Sequence, residues 1–293
     1  PMLSGFASIL TNTVLNYALI FGKLGCPAMG VRGAALATVI SAAVSMGMNM
    51  AFSYGMHLPA GARPSEWLRQ EKGFAGRFSK TVVPVIFNEG LWGVGTTMYS
   101  VFYGRMGDAA VATMGVCTTI NDLVWVAIFA LMNATAIIVG KALGAGDRER
   151  AYLYAKRMMA GAVAAGVALG LLVIAVRWPL VNIFSGLSYP VREKAQFILM
   201  LGALTIWFRA FNTINIVGVL RSGGDTLFSL CLDVGTLWLV GVTSTGLAAL
   251  VFHWPLEWVY ACTFLEEAVK MAVGIPHFKK RQWMNVLTEQ PQG

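Results

Sequence analysis

A carboxylic acid interrupts a long apolar stretch of the chain at a point where the backbone is also irregular. Glu89 follows Asn88 in the sequence 84–90, PVIFNEG. Pro84 lacks a backbone N–H and disturbs the helix behind it, which frees carbonyl groups close to the two polar side chains. An ionisable group inside a membrane segment is costly, so it is a functional candidate by default. We therefore predict that Glu89, with Asn88 beside it, binds a proton, Na⁺ or a cationic ligand.

Polar and aromatic side chains continue along one face of the same segment. They recur at spacings of three and four: Asn88, Trp92, Thr96, Tyr99 and Tyr103. Residues at these spacings share a helix face, and aromatic rings attract cations. The pattern predicts a cavity wall for an amphipathic cation. The alternative is a polar contact between helices in which Glu89 is neutral and hydrogen-bonded.

Two further charges inside apolar segments complete the predicted coupling group. Arg209 needs a counter-ion, for which Glu89 and Asp122 are the candidates, and its pair could be structural or could gate transport. Asn212 shares the face of Arg209 and is predicted to line the cavity. Asp122 is the second candidate for proton or cation coupling, with a structural hydrogen bond as the alternative.

The remaining acidic residues of the apolar segments are weaker candidates. Asp233 lies about two turns from the end of its segment. Glu266 and Lys270 are spaced i, i+4, which favours a structural ion pair on a single helix.

The composition excludes several classes of protein. Of the 293 residues, 57% are apolar and only 12% are charged, against about 25% charged in soluble domains. The net charge of +8 is typical of basic cytoplasmic loops, so we expect no nucleic acid partner. We also expect no obligate protein partner. The four cysteines and three histidines lack metal-site spacing, and no nucleotide-binding or hydrolase motif occurs. We expect no enzyme activity and no cofactor beyond a coupling ion, Na⁺ or H⁺.

Eight apolar segments are long enough to span a membrane, for which about 20 residues suffice. They cover residues 2–22, 31–54, 80–104, 109–140, 151–177, 193–219, 225–252 and 254–275. The sequence thus predicts an all-α, polytopic helical membrane protein.

The basic residues predict an orientation. Fifteen of the 22 Lys and Arg residues fall in the stretches 55–80, 141–157, 221–224 and 270–293, and six fall on the other side. The first side, including the C-terminal tail 276–293, is therefore predicted to be cytoplasmic.

Short features between and within the segments add local predictions. Residues 55–79 form the longest polar stretch, which predicts either an interfacial helix on the inner leaflet or an ordinary basic connector. Two glycine-rich turns end in Asp147 and Asp225, each of which is expected to cap the next helix. Gly166 and Gly170 form a GxxxG pattern that predicts close helix packing.

Several stretches together resemble the MATE family of multidrug and toxic compound extrusion transporters. These are 12–22 (NTVLNYALIFG), 30–41 (GVRGAALATVIS), 143–147 (LGAGD) and 219–226 (VLRSGGDT). The resemblance implies a fold of twelve helices in two lobes. Residues 1–54 would be the last two helices of the first lobe, 55–79 a cytoplasmic linker and 80–275 the second six-helix lobe. We expect the earlier helices to lie outside this sequence, which would make it a fragment.

The resemblance also implies cation sites. Some members use an Asn and an Asp one turn apart, with a nearby Thr, in the first lobe. Asn12 and Thr38 match, but Asn16 stands in the place of the Asp, so this half-site has lost its charge. Other members use a Glu on the first helix of the second lobe, where Glu89 falls, together with an acid on the fourth helix. Here that helix carries Arg209 instead of an acid.

The sequence and the resemblance together predict a cation-coupled antiporter that exports drugs and other organic cations by alternating access. We expect a multi-pass protein in a bacterial-type plasma membrane, with the lipid bilayer and small organic cations as its partners. One alternative is a flippase for lipid-linked precursors, which would need more cationic residues in its cavity. The other is a membrane enzyme or non-transporting membrane protein.

Overall fold

The computed structural model describes residues 2–56, 74–184 and 186–285. The chain divides into two compact units, residues 1–75 and residues 76–293. All the regular structure in the described ranges is helical, which confirms the predicted all-α class. Most of the predicted linker, residues 57–73, lies outside the described residues, as does the end of the predicted tail, 286–293.

The first unit contains two helices joined by a short turn, α1 (Met2–Phe21) and α2 (Val31–Gly55). Polar side chains form a seam where they pack together. Ser4 Oγ donates to Asn49 Oδ1 over 2.8 Å, and Asn12 Nδ2 donates to Ser41 Oγ over 3.3 Å. Hydroxyls and amides thus link the two helices.

The described part of the second unit contains six helices. They are α3 (Phe74–Arg105), α4 (Asp108–Gly144), α5 (Arg148–Asn182), α6 (Tyr189–Leu220), α7 (Thr226–Val251) and α8 (Leu256–Lys279). Two of them widen into π-helix. In α6 this is the last stretch, Ile214–Leu220, and in α7 it is Leu237–Val242 and Leu247–Val251. π-Helical turns often mark functional sites because they displace side chains from the regular α-helical register.

Of the eight helices α1 to α8 in the described residues, six are long and apolar enough to cross a membrane. Helices α3 and α8 do not meet this criterion. The prediction of eight such spans is therefore two too high by this measure. Helix α8 carries Glu266, Glu267 and Lys270 in its interior, and α3 carries Asn88 and Glu89. The polar residues that make these helices candidates for a site are also those that reduce their apolar character.

The predicted close packing at the GxxxG pattern is confirmed between α5 and α6. A side chain at Gly166 would collide with the backbone of Trp207, and one at Gly170 would collide with the carbonyl oxygen of Ala203. Glycine is therefore required for the two helix backbones to approach this closely.

Three local features of the second unit differ from the prediction. Helix α3 begins at Phe74 rather than at residue 80, because no proline occurs between them. The chain beyond α8 does not leave the bundle at once, since Trp283 is fully buried. Asp147 accepts a hydrogen bond from Arg150 N, as expected for a cap, but the Asp225 side chain lies 2.6 Å from His277 Nε2 instead.

Candidate ion-binding site

Glu89 is joined to the end of α6 by an arginine that it shares with a second carboxylate. Arg221 Nη1 lies 2.6 Å from Glu89 Oε1, while Nη2 of the same guanidinium lies 3.7 Å from Asp233 Oδ2 on α7. The Asn88 amide also donates to Asp233 Oδ2, over 3.0 Å. One arginine therefore lies between an acid of α3 and an acid of α7.

The ion pairs continue from Asp233 to α8 through a buried lysine. Lys270 Nζ lies 2.7 Å from Asp233 Oδ1 and 2.5 Å from Glu266 Oε1. Tyr99 of α3 donates its hydroxyl to the other oxygen of Glu266, over 2.8 Å. The pair between Glu266 and Lys270 was predicted as a structural contact within α8, and the structure extends it to α7 and α3.

A second ion pair lies beside this chain of contacts. Arg209 Nε lies 3.5 Å from Glu267 Oε1, and its guanidinium also stands over the Trp125 ring at 5.4 Å. Asn212 Nδ2 donates to Glu267 Oε2 over 2.8 Å. The predicted partners of Arg209, Glu89 and Asp122, are therefore wrong. Arg209 pairs instead with Glu267, which follows Glu266 on α8. The sequence spacing did not indicate this pair.

The irregular part of α7 makes room for these contacts. Gly241 lies in the π-helical stretch Leu237–Val242, where any side chain would collide with the Tyr99 hydroxyl and with Glu266 Oε2. Because Gly241 has no side chain, α3 and α8 can join their polar groups across α7. A glycine here is thus part of how the site is built.

The charges of this ion cluster do not balance. Within the described part of the chain it contains four carboxylates, Glu89, Asp233, Glu266 and Glu267, and three cations, Arg209, Arg221 and Lys270. One negative charge is unmatched when all seven groups are ionised. One more monovalent cation or proton would balance these charges.

Exposure distinguishes the four acids of the cluster. The side chain of Glu89 is 59% exposed, whereas those of Asp233, Glu266 and Glu267 are between 8% and 13% exposed. Glu89 Oε1 meets Arg221, and no partner of Glu89 Oε2 is found among the described residues. Glu89 is therefore the accessible acid of the cluster.

The aromatic stripe of α3 is only partly the predicted cavity wall. Trp92 is 44% exposed, whereas Tyr103 is buried in the apolar core. Thr96 donates to the carbonyl of Gly93 in its own helix, and Tyr99 is engaged by Glu266. Tyr99 and Tyr103 therefore pack inward against the other helices and do not line an open cavity. Asn212, also predicted to line a cavity, is 2% exposed and bonded to Glu267.

Asp122 lies outside the ion cluster. Its side chain is exposed on α4, and in the described ranges it makes no ion pair with the groups above. A coupling role for Asp122 stays a prediction without a contact that supports it.

The first-unit half-site is brought together in part. Asn16 Nδ2 donates to Asn12 Oδ1 over 2.9 Å, and the Asn12 amide donates in turn to Ser41 Oγ. Asn16 Oδ1 is buried and has no hydrogen-bond partner among the described residues. Thr38 donates to the carbonyl of Ala34 in its own helix rather than to either asparagine.

Two cations of the cluster were missed as site residues by the sequence analysis. Arg221 and Lys270 were counted with loop stretches when the basic residues were assigned to sides, yet both have side chains less than 15% exposed. A search for the counter-ion of each acid in an apolar segment would have found them. Elsewhere, no group of three or more His, Cys, Asp or Glu side chains in the described residues is arranged to hold a metal ion.

The helices and the polar groups within them define a class, that of multi-pass α-helical membrane proteins. The MatE family model matches residues 84–242, which is more than half of the chain. The chain therefore belongs to the MatE family, and the resemblance found in the sequence is confirmed.

Individual relatives agree with this assignment. A probable multidrug resistance protein NorM from Thermotoga maritima is 25% identical over 241 residues, covering 81% of this chain and 50% of its own length. The multidrug resistance protein MdtK of Yersinia pseudotuberculosis is 28% identical over 262 residues, covering 85% and 54%. The chain thus spans about half the length of these curated relatives.

Solved structures show the same fold. An outward-facing multidrug resistance MATE family transporter superposes with a TM-score of 0.79 at 19% identity, covering 99% of this chain and 63% of its own. A mutant of the Vibrio cholerae MATE transporter VcmN gives a TM-score of 0.80 at 14% identity, covering 96% and 62%.

Proposed function

We propose that the protein containing this chain is a cation-coupled antiporter that exports drugs and other organic cations by alternating access. The observation that carries the proposal is the unmatched negative charge of the ion cluster, together with its accessible acid, Glu89. The relatives named as multidrug resistance proteins support the kind of substrate. The protein would be a transporter rather than an enzyme, in the plasma membrane of a bacterium, with its C-terminus in the cytoplasm.

Arg221 can pair mainly with Glu89 or mainly with Asp233, and a bound ion would favour one of these two arrangements. The guanidinium lies closer to Glu89 than to Asp233, at 2.6 Å against 3.7 Å. A proton or Na⁺ on Glu89 would weaken the first contact and leave Arg221 to Asp233. The end of α6 would then be held by α7 in place of α3.

This exchange of partners could drive alternating access, provided that the ion binds one conformation more tightly than the other. An organic cation and the coupling ion would compete for the same carboxylate. Binding of one would release the other, as antiport requires.

The test uses the protein encoded by the whole gene, expressed in cells that lack other drug exporters. Ethidium export is followed while a Na⁺ gradient or a pH gradient is imposed. We expect one gradient to drive export, and Glu89→Gln to slow it at least about tenfold while membrane expression is unchanged. Glu193→Gln, which removes an exposed acid of α6, is the matched control. Full export by Glu89→Gln would exclude the proposed role of Glu89.

A further inference from the structure

The two ends of the ion cluster differ in whether a free ion could reach the acids. At the inner, buried end, which is formed by Asp233 and Glu266, every carboxylate oxygen has a partner. Asp233 Oδ1 and Glu266 Oε1 hold Lys270 Nζ, while Asp233 Oδ2 accepts from Asn88 and Glu266 Oε2 accepts from Tyr99. Lys270 itself is 5% exposed. At the outer end, Glu89 is largely exposed.

The geometry around Lys270 matches what two acids would offer to a small cation. Two carboxylate oxygens from different helices converge on one nitrogen at 2.7 and 2.5 Å. The Asn88 amide, which donates to Asp233, has a buried oxygen, Oδ1, for which no hydrogen-bond partner occurs among the described residues. Carboxylate and amide oxygens are the ligands that hard cations prefer. The position is therefore chemically a cation site that a side chain of the protein already fills.

We propose that Lys270 acts as a tethered cation, which occupies the place between Asp233 and Glu266 that a free monovalent cation would otherwise take. Asp233 and Glu266 then keep a bound cation between them through the transport cycle, and ion exchange is confined to Glu89. This inference rests on the proposed function for its meaning in transport, but the occupancy of the site by Lys270 is tested independently of transport.

Removal of the lysine should turn the closed end into a site for a free ion. Lys270→Gln leaves two buried carboxylates without their shared counter-ion, which is strongly destabilising unless a cation replaces it. Na⁺ is small enough to enter between the two acids, and choline is too large. Stability of this variant should therefore depend on Na⁺ more strongly than stability of the unaltered protein.

The experiment measures the Tm of the purified whole protein in detergent, with NaCl replaced by choline chloride at constant ionic strength. We expect Na⁺ to raise the Tm of Lys270→Gln by about 3 °C more than it raises the Tm of the unaltered protein. A shift of this size is expected when the Na⁺ concentration is about tenfold above the Kd of the new site. Lys280→Gln, which removes an exposed lysine just after the same helix, is the matched control and should respond as the unaltered protein does.

A second variant keeps the result interpretable if the first is unstable. Lys270→Gln combined with Glu266→Gln removes one charge of each sign, so it should fold without Na⁺ and show no additional Na⁺ response. An equal response to Na⁺ in Lys270→Gln and in the unaltered protein would overturn the proposal. So would failure of Lys270→Gln to fold in NaCl while the double variant folds. Neither result would affect the test of Glu89, which reads transport rather than Tm.

Discussion

Polar side chains in the first unit and in the second unit are partnered in different ways. Between α1 and α2, amides and hydroxyls form hydrogen bonds with one another. Asn16 donates to Asn12, and Asn12 donates to Ser41. In the second unit, acids of α3, α7 and α8 meet three cations, and two of these, Arg221 and Lys270, are each shared between two acids. The first arrangement has no charge to neutralise and the second has one too few cations.

This difference indicates where an exchangeable ion has its largest effect. A neutral hydrogen bond inside a membrane is worth little on average, about 0.6 kcal/mol, and its loss leaves no charge exposed. A buried ion that loses its partner is far more costly. Coupling by a proton or Na⁺ therefore has more free energy to act on in the second unit than in the first.

The largest expected effect on stability comes from the acid at the centre of the ion cluster. Asp233→Asn removes a contact of Lys270 and the second partner of Arg221. We expect the free energy of unfolding to fall by about 3 kcal/mol, the lower end for a broken buried pair, because Glu266 still holds Lys270. Thermal unfolding in detergent measures this loss. Asp122→Asn is the control, and an equal loss there would contradict the special status of the cluster.

An intermediate effect is expected where α7 allows the polar groups of α3 and α8 to meet. Gly241→Ala places a methyl group against the Tyr99 hydroxyl and Glu266, and overpacking of this kind costs about 1–3 kcal/mol. Gly235→Ala in the same helix is the matched control, since its added carbon would meet nothing within 4 Å. The account predicts a lower Tm for the first variant and an unchanged Tm for the second. Tolerance of alanine at Gly241 would mean that the acids are not held at this spacing.

The smallest effect is expected in the seam of the first unit. Ser41→Ala removes the acceptor of the Asn12 amide, which should lower the free energy of unfolding by about 0.6 kcal/mol, the average for hydrogen bonds between membrane helices. Ser45→Ala, one turn further along α2, removes a hydroxyl with no bond to α1 in the described residues. A loss in Ser41→Ala as large as that in Asp233→Asn would remove the contrast between the two units.

The parts of the fold that depend on local pattern could be predicted from the sequence. Apolar segments, the GxxxG contact at Gly166 and the capping role of Asp147 follow from spacing along one helix. The pairing of Glu266 with Lys270 was found for the same reason. What joins different helices was not predicted, since Arg209 has several acids within reach in a sequence but only Glu267 pairs with it among the described residues.

The same limit explains why the candidate site was predicted in part. Glu89 and Asn88 were identified from an acid and a proline in an apolar segment, and both belong to the ion cluster. Arg221, and the contact of Lys270 with Asp233, were missed because both cations lie at or near the end of a predicted segment, where a basic residue usually faces water. The π-helical stretches that shift Gly241 into place have no signature in the sequence pattern.

The most direct test of the account compares the two units in one transport assay. The purified whole protein is placed in lipid vesicles, ethidium is added, and the release of bound H⁺ or Na⁺ is followed. We predict that Asn16→Ala retains substrate-induced ion release and that Glu89→Gln loses it. Retention by Glu89→Gln with loss in Asn16→Ala would contradict the account and would assign coupling to the first unit.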